Sequence, residues 1–143
     1  MTTEYEASVR LGFWGDALEP KALVKALKLA PSFCDTKAKG EALKGPDAKP
    51  LGGLAKTGRV IYNCDKELHE QRHDPVAQLE RIASVLRPLP GGFFPSHDVA
   101  EVELQMSFYY KKKSSGEPDF FVPTDLLSLA VLHGIRFRVT VLP

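Results

Sequence analysis

Two stretches of alternating residues constrain this chain more than any other feature. In residues 99–112, Val102, Leu104, Met106, Phe108 and Tyr110 share one face, and Glu101, Glu103, Gln105, Ser107 and Tyr109 share the other. Residues 5–14 repeat the pattern, with Tyr5, Ala7, Val9, Leu11 and Phe13 against Glu6, Ser8, Arg10 and Gly12. A period of two sends one set of side chains into a core and the other toward water. Strands buried on both faces read instead as continuous apolar runs. The chain is therefore expected to build a mainly antiparallel sheet covered on one side.

The remaining segments supply that cover. Pro20, Leu23, Val24 and Leu27 predict a helix over about 20–29, stopped by Pro31. Val76, Leu79, Ile82, Ala83 and Leu86 fall at helical spacing and predict a second over about 75–87. Thr124 reads as the cap of a third over about 125–133, apolar nearly all round and closed by Gly134. Further strands are expected at 58–64, 120–122 and 135–142, with Lys111 to Pro118 as a hairpin tip. The triple lysine at 111–113 reads as a charged strand end that discourages edge pairing. Residues 31–57, with five lysines and few apolar anchors, read as a long loop that Leu51 and Leu54 tack onto the core. Helices mixed with antiparallel strands predict an α+β fold. It is a two-layer sandwich with about three helices on one face of the sheet, nearest to the ferredoxin-like arrangement, forming one domain across residues 1–143.

Charge and composition narrow the function. The net charge of +1 gives no pull toward nucleic acid or an anionic membrane, so neither is expected as a partner. No apolar run reaches the length of a membrane span. The polar, acidic start from Met1 to Glu6 is the opposite of a signal peptide, and a cytoplasmic location is expected. Cys34 and Cys64 are then expected to be free structural thiols.

One segment spells an enzyme. His69-Glu70-Gln71-Arg72-His73 matches the two-histidine zinc helix, in which the histidines share a metal and the glutamate activates its water. That chemistry needs unbroken helix through His73. Pro75 lacks an amide hydrogen and suits a first helical turn, and Asp74 before it is a good N-cap. The helix is expected to begin there, leaving both histidines in the connection before it. The match is read as coincidence: no catalytic residue, no metal ligand and no cofactor is assigned.

Two readings of function remain ahead of the zinc hydrolase. The leading one is a non-enzymatic binding or protein-interaction module, immunity-like by analogy, resting on the polar sheet face and the lack of a nucleophile–base set or phosphate loop. The alternative is a small-molecule or nucleotide binder. Its candidate residues are Trp14, Asp16, Lys39, Glu41, Arg59 and Tyr62, which would form a polar pocket with aromatic walls at the strand ends.

Three pieces of the chain carry a resemblance. A strand runs into Gly15-Asp16-Ala17-Leu18-Glu19-Pro20 and a short helix ending Leu29-Ala30-Pro31. Lys39-Gly40-Glu41 is followed, after a loop, by Thr57-Gly58 and an aromatic-bearing strand. Pro123-Thr124-Asp125-Leu126-Leu127 opens a helix that leads to Gly134 and a last strand. Together they resemble the small bacterial domains of unknown function number 4279. Ile61-Tyr62 stands where that family often has Tyr-Trp. The resemblance implies no catalytic set and no cofactor.

Overall fold

The computed structural model describes residues 5–44, 50–110 and 120–142. Strand β1 (Tyr5–Gly15) leads through helix α1 (Pro20–Ala26) and a 3-10 turn at Pro31–Phe33 into β2 (Cys34–Lys37). The strands β3 (Ala42–Lys44) and β4 (Pro50–Leu54) form a separate two-stranded sheet. Then come β5 (Gly58–Asn63), the single turn α2 (Cys64–Glu67), a 3-10 turn at His69–Gln71, α3 (Pro75–Leu86) and the single turn α4 (Phe93–Ser96). The chain closes with β6 (Glu101–Tyr110), α5 (Thr124–His133) and β7 (Arg136–Leu142).

The main sheet has the order β2-β5-β1-β6-β7. The β2–β5, β5–β1 and β1–β6 pairs are antiparallel, and β6–β7 is parallel. β5 lies between β1 and β2, which α1 connects. β1 lies between β5 and β6, which α3 connects. These two split β-α-β units are the ferredoxin-like arrangement, extended by β7 through α5.

One core lies under the helices. The alternate residues Val9, Leu11 and Phe13 of β1 are fully buried, together with Val60 and Tyr62 of β5 and Leu104 and Phe108 of β6. Leu23 of α1, Leu79, Ile82 and Leu86 of α3, and Leu126 of α5 close over them. Phe94 on α4 meets Phe13 with ring centroids 5.3 Å apart. Gly15 is required where it stands, since a Cβ there would lie 1.9 Å from the Asp98 carbonyl oxygen.

Helix α3 begins as the Asp74-Pro75 pair dictates. The Asp74 carboxylate accepts from the Ala77 amide at 3.0 Å, and Pro75 fills the first turn. The segment just before and inside this helix does something the sequence does not announce. β5 ends at Asn63, opposite Arg10, so the first half of β1 has no strand on that side. Polar groups of residues 72–78 take its place. The Ala7 amide donates to the Arg72 carbonyl at 2.7 Å, and the Val9 amide donates to Gln78 Oε1 at 3.0 Å. Gln78 Nε2 donates to the Ala7 carbonyl at 2.9 Å, and His73 Nδ1 to the Tyr5 carbonyl at 2.7 Å. Side chains thus complete a ladder that backbone leaves open, as buried peptide groups require.

Several elements depart from expectation. The stretch read as a long loop holds β2, which joins the sheet, and the β3–β4 pair; Leu54 is 62% exposed and does not tack it to the core. The expected hairpin strand at 120–122 is absent. Phe120 instead packs its ring on Phe108 at 5.3 Å, and the place beside β6 is taken by β7. The expected hairpin tip at 111–118 lies outside the described residues, apart from which β6 and β7 are joined by a parallel crossover through α5. Thr124 is the first helical residue, not the cap; Pro123 holds that position and offers no side-chain cap. Helix α1 stops at Ala26, short of 29, because Lys28 turns into the left-handed region at φ 56° and returns Leu29 to the core.

Candidate functional site

The face of the sheet opposite the helices carries the polar members of each alternating strand. On β1 and β6 the register pairs Gly12 with Glu103 and Trp14 with Glu101. On the parallel side, Glu103 stands opposite Arg136 and Gln105 opposite Arg138. This brings a carboxylate between two guanidinium groups. Glu103 is 5% exposed, with Arg138 Nε at 3.2 Å and an Arg136 terminal nitrogen at 3.5 Å. Gln105 Nε2 donates to the same carboxylate at 3.0 Å, and Arg136 also reaches Glu101 at 3.1 Å. The charges on this face are therefore largely spent on one another.

Beside this cluster the Trp14 ring lies over Gly12. A Cβ on Gly12 would fall 2.3 Å from the Trp14 ring, so the bare glycine is what lets the indole rest there. Trp14, Asp16, Thr57, Glu103, Arg136 and Arg138 line a shallow cleft of about 510 Å³. Of the residues singled out from sequence, Trp14 and Asp16 line it. Lys39 reaches Asp16 at 3.6 Å, and Arg59 stands opposite Trp14 in the register. Glu41 is used elsewhere, closing its own turn by accepting from the Ala38 amide at 3.0 Å. Tyr62 is not part of the site. It is fully buried on the helix-covered face, paired in register with Leu11, and cannot wall an open pocket. The sequence reading missed Glu103, Arg136 and Arg138. Their shared face was legible, but the parallel pairing that brings them together was not.

The two histidines of the zinc-like motif go separate ways. His69 is exposed in a 3-10 turn, and His73 is tied to β1 through the Tyr5 carbonyl. The motif does not form one continuous helix, because α3 begins at Pro75. The described residues contain no cluster of three or more His, Cys, Asp or Glu side chains arranged for a metal. Both thiols are held protonated by burial: Cys64 is pushed up to about 12, and Cys34, half-buried near Asp35, to about 11. Neither has the lowered pKa of a nucleophilic cysteine.

The second surface is apolar and lies at the β7 edge. β7 is the last strand of the sheet. Its helix-side residues Phe137, Val139 and Val141 are 44%, 59% and 56% exposed. Helix α5 explains why they are uncovered. It buries Leu126 and Ala130, and its flank toward α3 carries Asp125, paired with Arg87, and Leu132, near Gly91. Helical spacing puts Leu127 and Val131 on the opposite flank, away from α3 and toward the β7 side. They are 51% and 84% exposed. Leu127 and Val131 on one α5 flank, and Phe137, Val139 and Val141 on β7, are thus exposed apolar groups, the latter along a strand with no outer neighbour among the described residues. Singly exposed apolar residues are ordinary, whereas a contiguous patch on an open edge marks an interaction surface.

No protein family, curated protein or solved structure matches the chain. Among the described residues, no helix is long and apolar enough to cross a membrane.

Proposed function

We propose that this chain is a small protein-interaction module of the cytoplasm that docks a partner along the β7 edge, without catalysing a reaction. The observation that carries this reading is the apolar exposure itself. Five apolar side chains, Leu127, Val131, Phe137, Val139 and Val141, stand exposed, the last three along a strand whose outer side has no partner among the described residues. Edge strands that must stay alone are usually blunted by lysines, prolines, bulges or inward-pointing charges. The helix-side positions of β7 carry none of these. A partner segment laid against β7 gains backbone hydrogen bonds from the strand and apolar contact from α5 at once. Membership of family 4279 is part of the same proposal, supported by the turn and cap residues quoted above.

The test is site-specific cross-linking in cells. A photoreactive residue at Val139 or Val131 is expected to capture a protein, while one at Glu70, exposed on the 3-10 turn before α3, captures none. Equal, background-level capture at all three positions would refute the reading.

A second reading has its own observation. The cleft is lined by the half-buried Trp14 next to hydrogen-bonding groups, an arrangement that suits a small polar ring. A thermal-shift screen of nucleosides, sugars and amino acids tests it; no stabilisation by any of them would set it aside.

A further inference from the structure

We infer that the partner covering the β7 edge is a second copy of this chain, joined by antiparallel pairing of β7 with β7 about a two-fold axis at Val139. This rests on the interaction reading above and names its occupant. A two-fold axis through the sheet keeps the helices of both copies on one side, so opposing residues must belong to the same face. Three registers meet that condition near the middle of the strand. Centring on Arg138 pushes Val141 and Leu142 past the start of the partner strand. Centring on Thr140 pushes Phe137 past the end of the partner strand. Centring on Val139 pairs Val139 with its own copy, Phe137 with Val141, Arg138 with Thr140 and Arg136 with Leu142.

Charge does not oppose the joint: Glu103 holds Arg138 at 3.2 Å and Glu101 holds Arg136 at 3.1 Å, so each cation of β7 enters it paired within its own copy. On the helix side, two Phe–Val pairs flank a Val–Val pair, the cross-strand contacts a sheet prefers. Leu127 and Val131 of the two α5 helices close over them. These five side chains expose on the order of 500 Å² of apolar surface per copy. The strand backbone and the arginine stems bring the joint toward the roughly 800 Å² per partner of a stable interface. The product is a continuous ten-stranded sheet, five strands from each copy.

The experiment is a charge swap at the axis, read by light scattering on the purified full chain. The wild type is expected to show twice the mass of one chain at about 100 µM, above the micromolar-to-picomolar range of interfaces this size. Val139→Asp and Val139→Lys, each placing like charges face to face, are expected to run as monomers. Mixed in equal amounts, they are expected to regain the doubled mass as a mixed pair only. Residue 139 is well exposed, so both variants should fold; circular dichroism checks this, and Val131→Asp on the helix provides a second route to the monomer. A monomeric wild type overturns the inference. If the Val139 cross-linker then still captures a different protein, self-pairing fails while the interaction reading stands. If it captures nothing, both fail. A dimer that survives both charge variants places the joint elsewhere and also overturns the proposal.

Discussion

Replacing Gln78 with leucine removes the side chain that pairs with two backbone groups of β1 in place of a missing strand. Gln78 is fully buried, and its amide satisfies the Val9 N–H at 3.0 Å and the Ala7 carbonyl at 2.9 Å. It also donates to the Gln71 carbonyl at 3.2 Å, which is only partly buried and can turn to water. Leucine fills much the same volume, so no large cavity opens. What remains is one buried donor and one buried acceptor without partners. Each such loss costs about 1–3 kcal/mol, offset in part by no longer burying an amide. A net destabilisation of roughly 3 kcal/mol is expected from these terms. In a chain of this length that lowers the thermal midpoint by about 10 °C. Urea unfolding followed by circular dichroism measures it, with an unchanged slope marking a loss of stability alone. Gln78→Glu sharpens the test. A carboxylate can accept from Val9 but cannot donate to Ala7. Burial beside a carbonyl raises its folded pKa above the unfolded value. Its stabilising contribution is then present at low pH and lost as pH rises through the folded value. Gln78→Glu should therefore recover toward the wild type on acidification. A Gln78→Leu protein within 0.5 kcal/mol of the wild type, or a Gln78→Glu deficit flat in pH, would refute the idea that this amide completes the ladder.

Gly12→Ala is expected to lift the Trp14 indole off the sheet, because the new methyl group occupies the ring's place. Trp14 is the sole tryptophan, so its emission should shift to the red with little loss of stability, and an unchanged spectrum would count against the ring's place over Gly12. His133 packs edge-on against Phe94 at 5.1 Å, its Nε2 is buried without a partner among the described residues, and burial lowers its pKa. The sign follows: its contribution to stability is complete above the ordinary histidine value near 6.5 and is lost as pH falls through it toward the depressed one. His133→Leu should flatten that acid-side slope in unfolding curves recorded across the window. Val131→Asp should leave the unfolding free energy within about 0.5 kcal/mol of the wild type, as expected for a surface site, while weakening association in sedimentation; a large stability loss would mean the residue is covered within one chain.

Much of the sheet was legible because alternation survives whatever the strands pair with. The faces of β1 and β6 were read correctly from side-chain period alone, as was the break before α3, where a proline leaves the backbone little choice. Other features depend on tertiary partners. Cys34-Asp35-Thr36-Lys37 has no alternating apolar signal; it becomes β2 because β5 offers it an edge. Phe120-Phe121-Val122 has strong strand propensity, yet the edge beside β6 goes to the longer β7, and the phenylalanine plugs the core instead. Tyr62 was misplaced although the signal existed: it shares parity with Val60, which puts it with the core, and Ile61 between them faces the other way. The Glu103–Arg136–Arg138 cluster shows the limit most clearly. Each residue lay on its proper face in the sequence, but only the parallel register of two strands separated by a crossover brings them within 3.5 Å. The apolar character of α5 was also legible, whereas the exposure of Val131 and Leu127 on one flank depends on how the helix seats in the fold.

The proposal that a partner covers the edge of the sheet is tested most directly by amide hydrogen exchange along residues 136–142. Exchange in these residues should slow as protein concentration rises and should return to the fast rate in Val139→Asp, with β1 and β5 unaffected throughout. Rates in 136–142 that stay the same from dilute to concentrated protein, and in the variant, would contradict it.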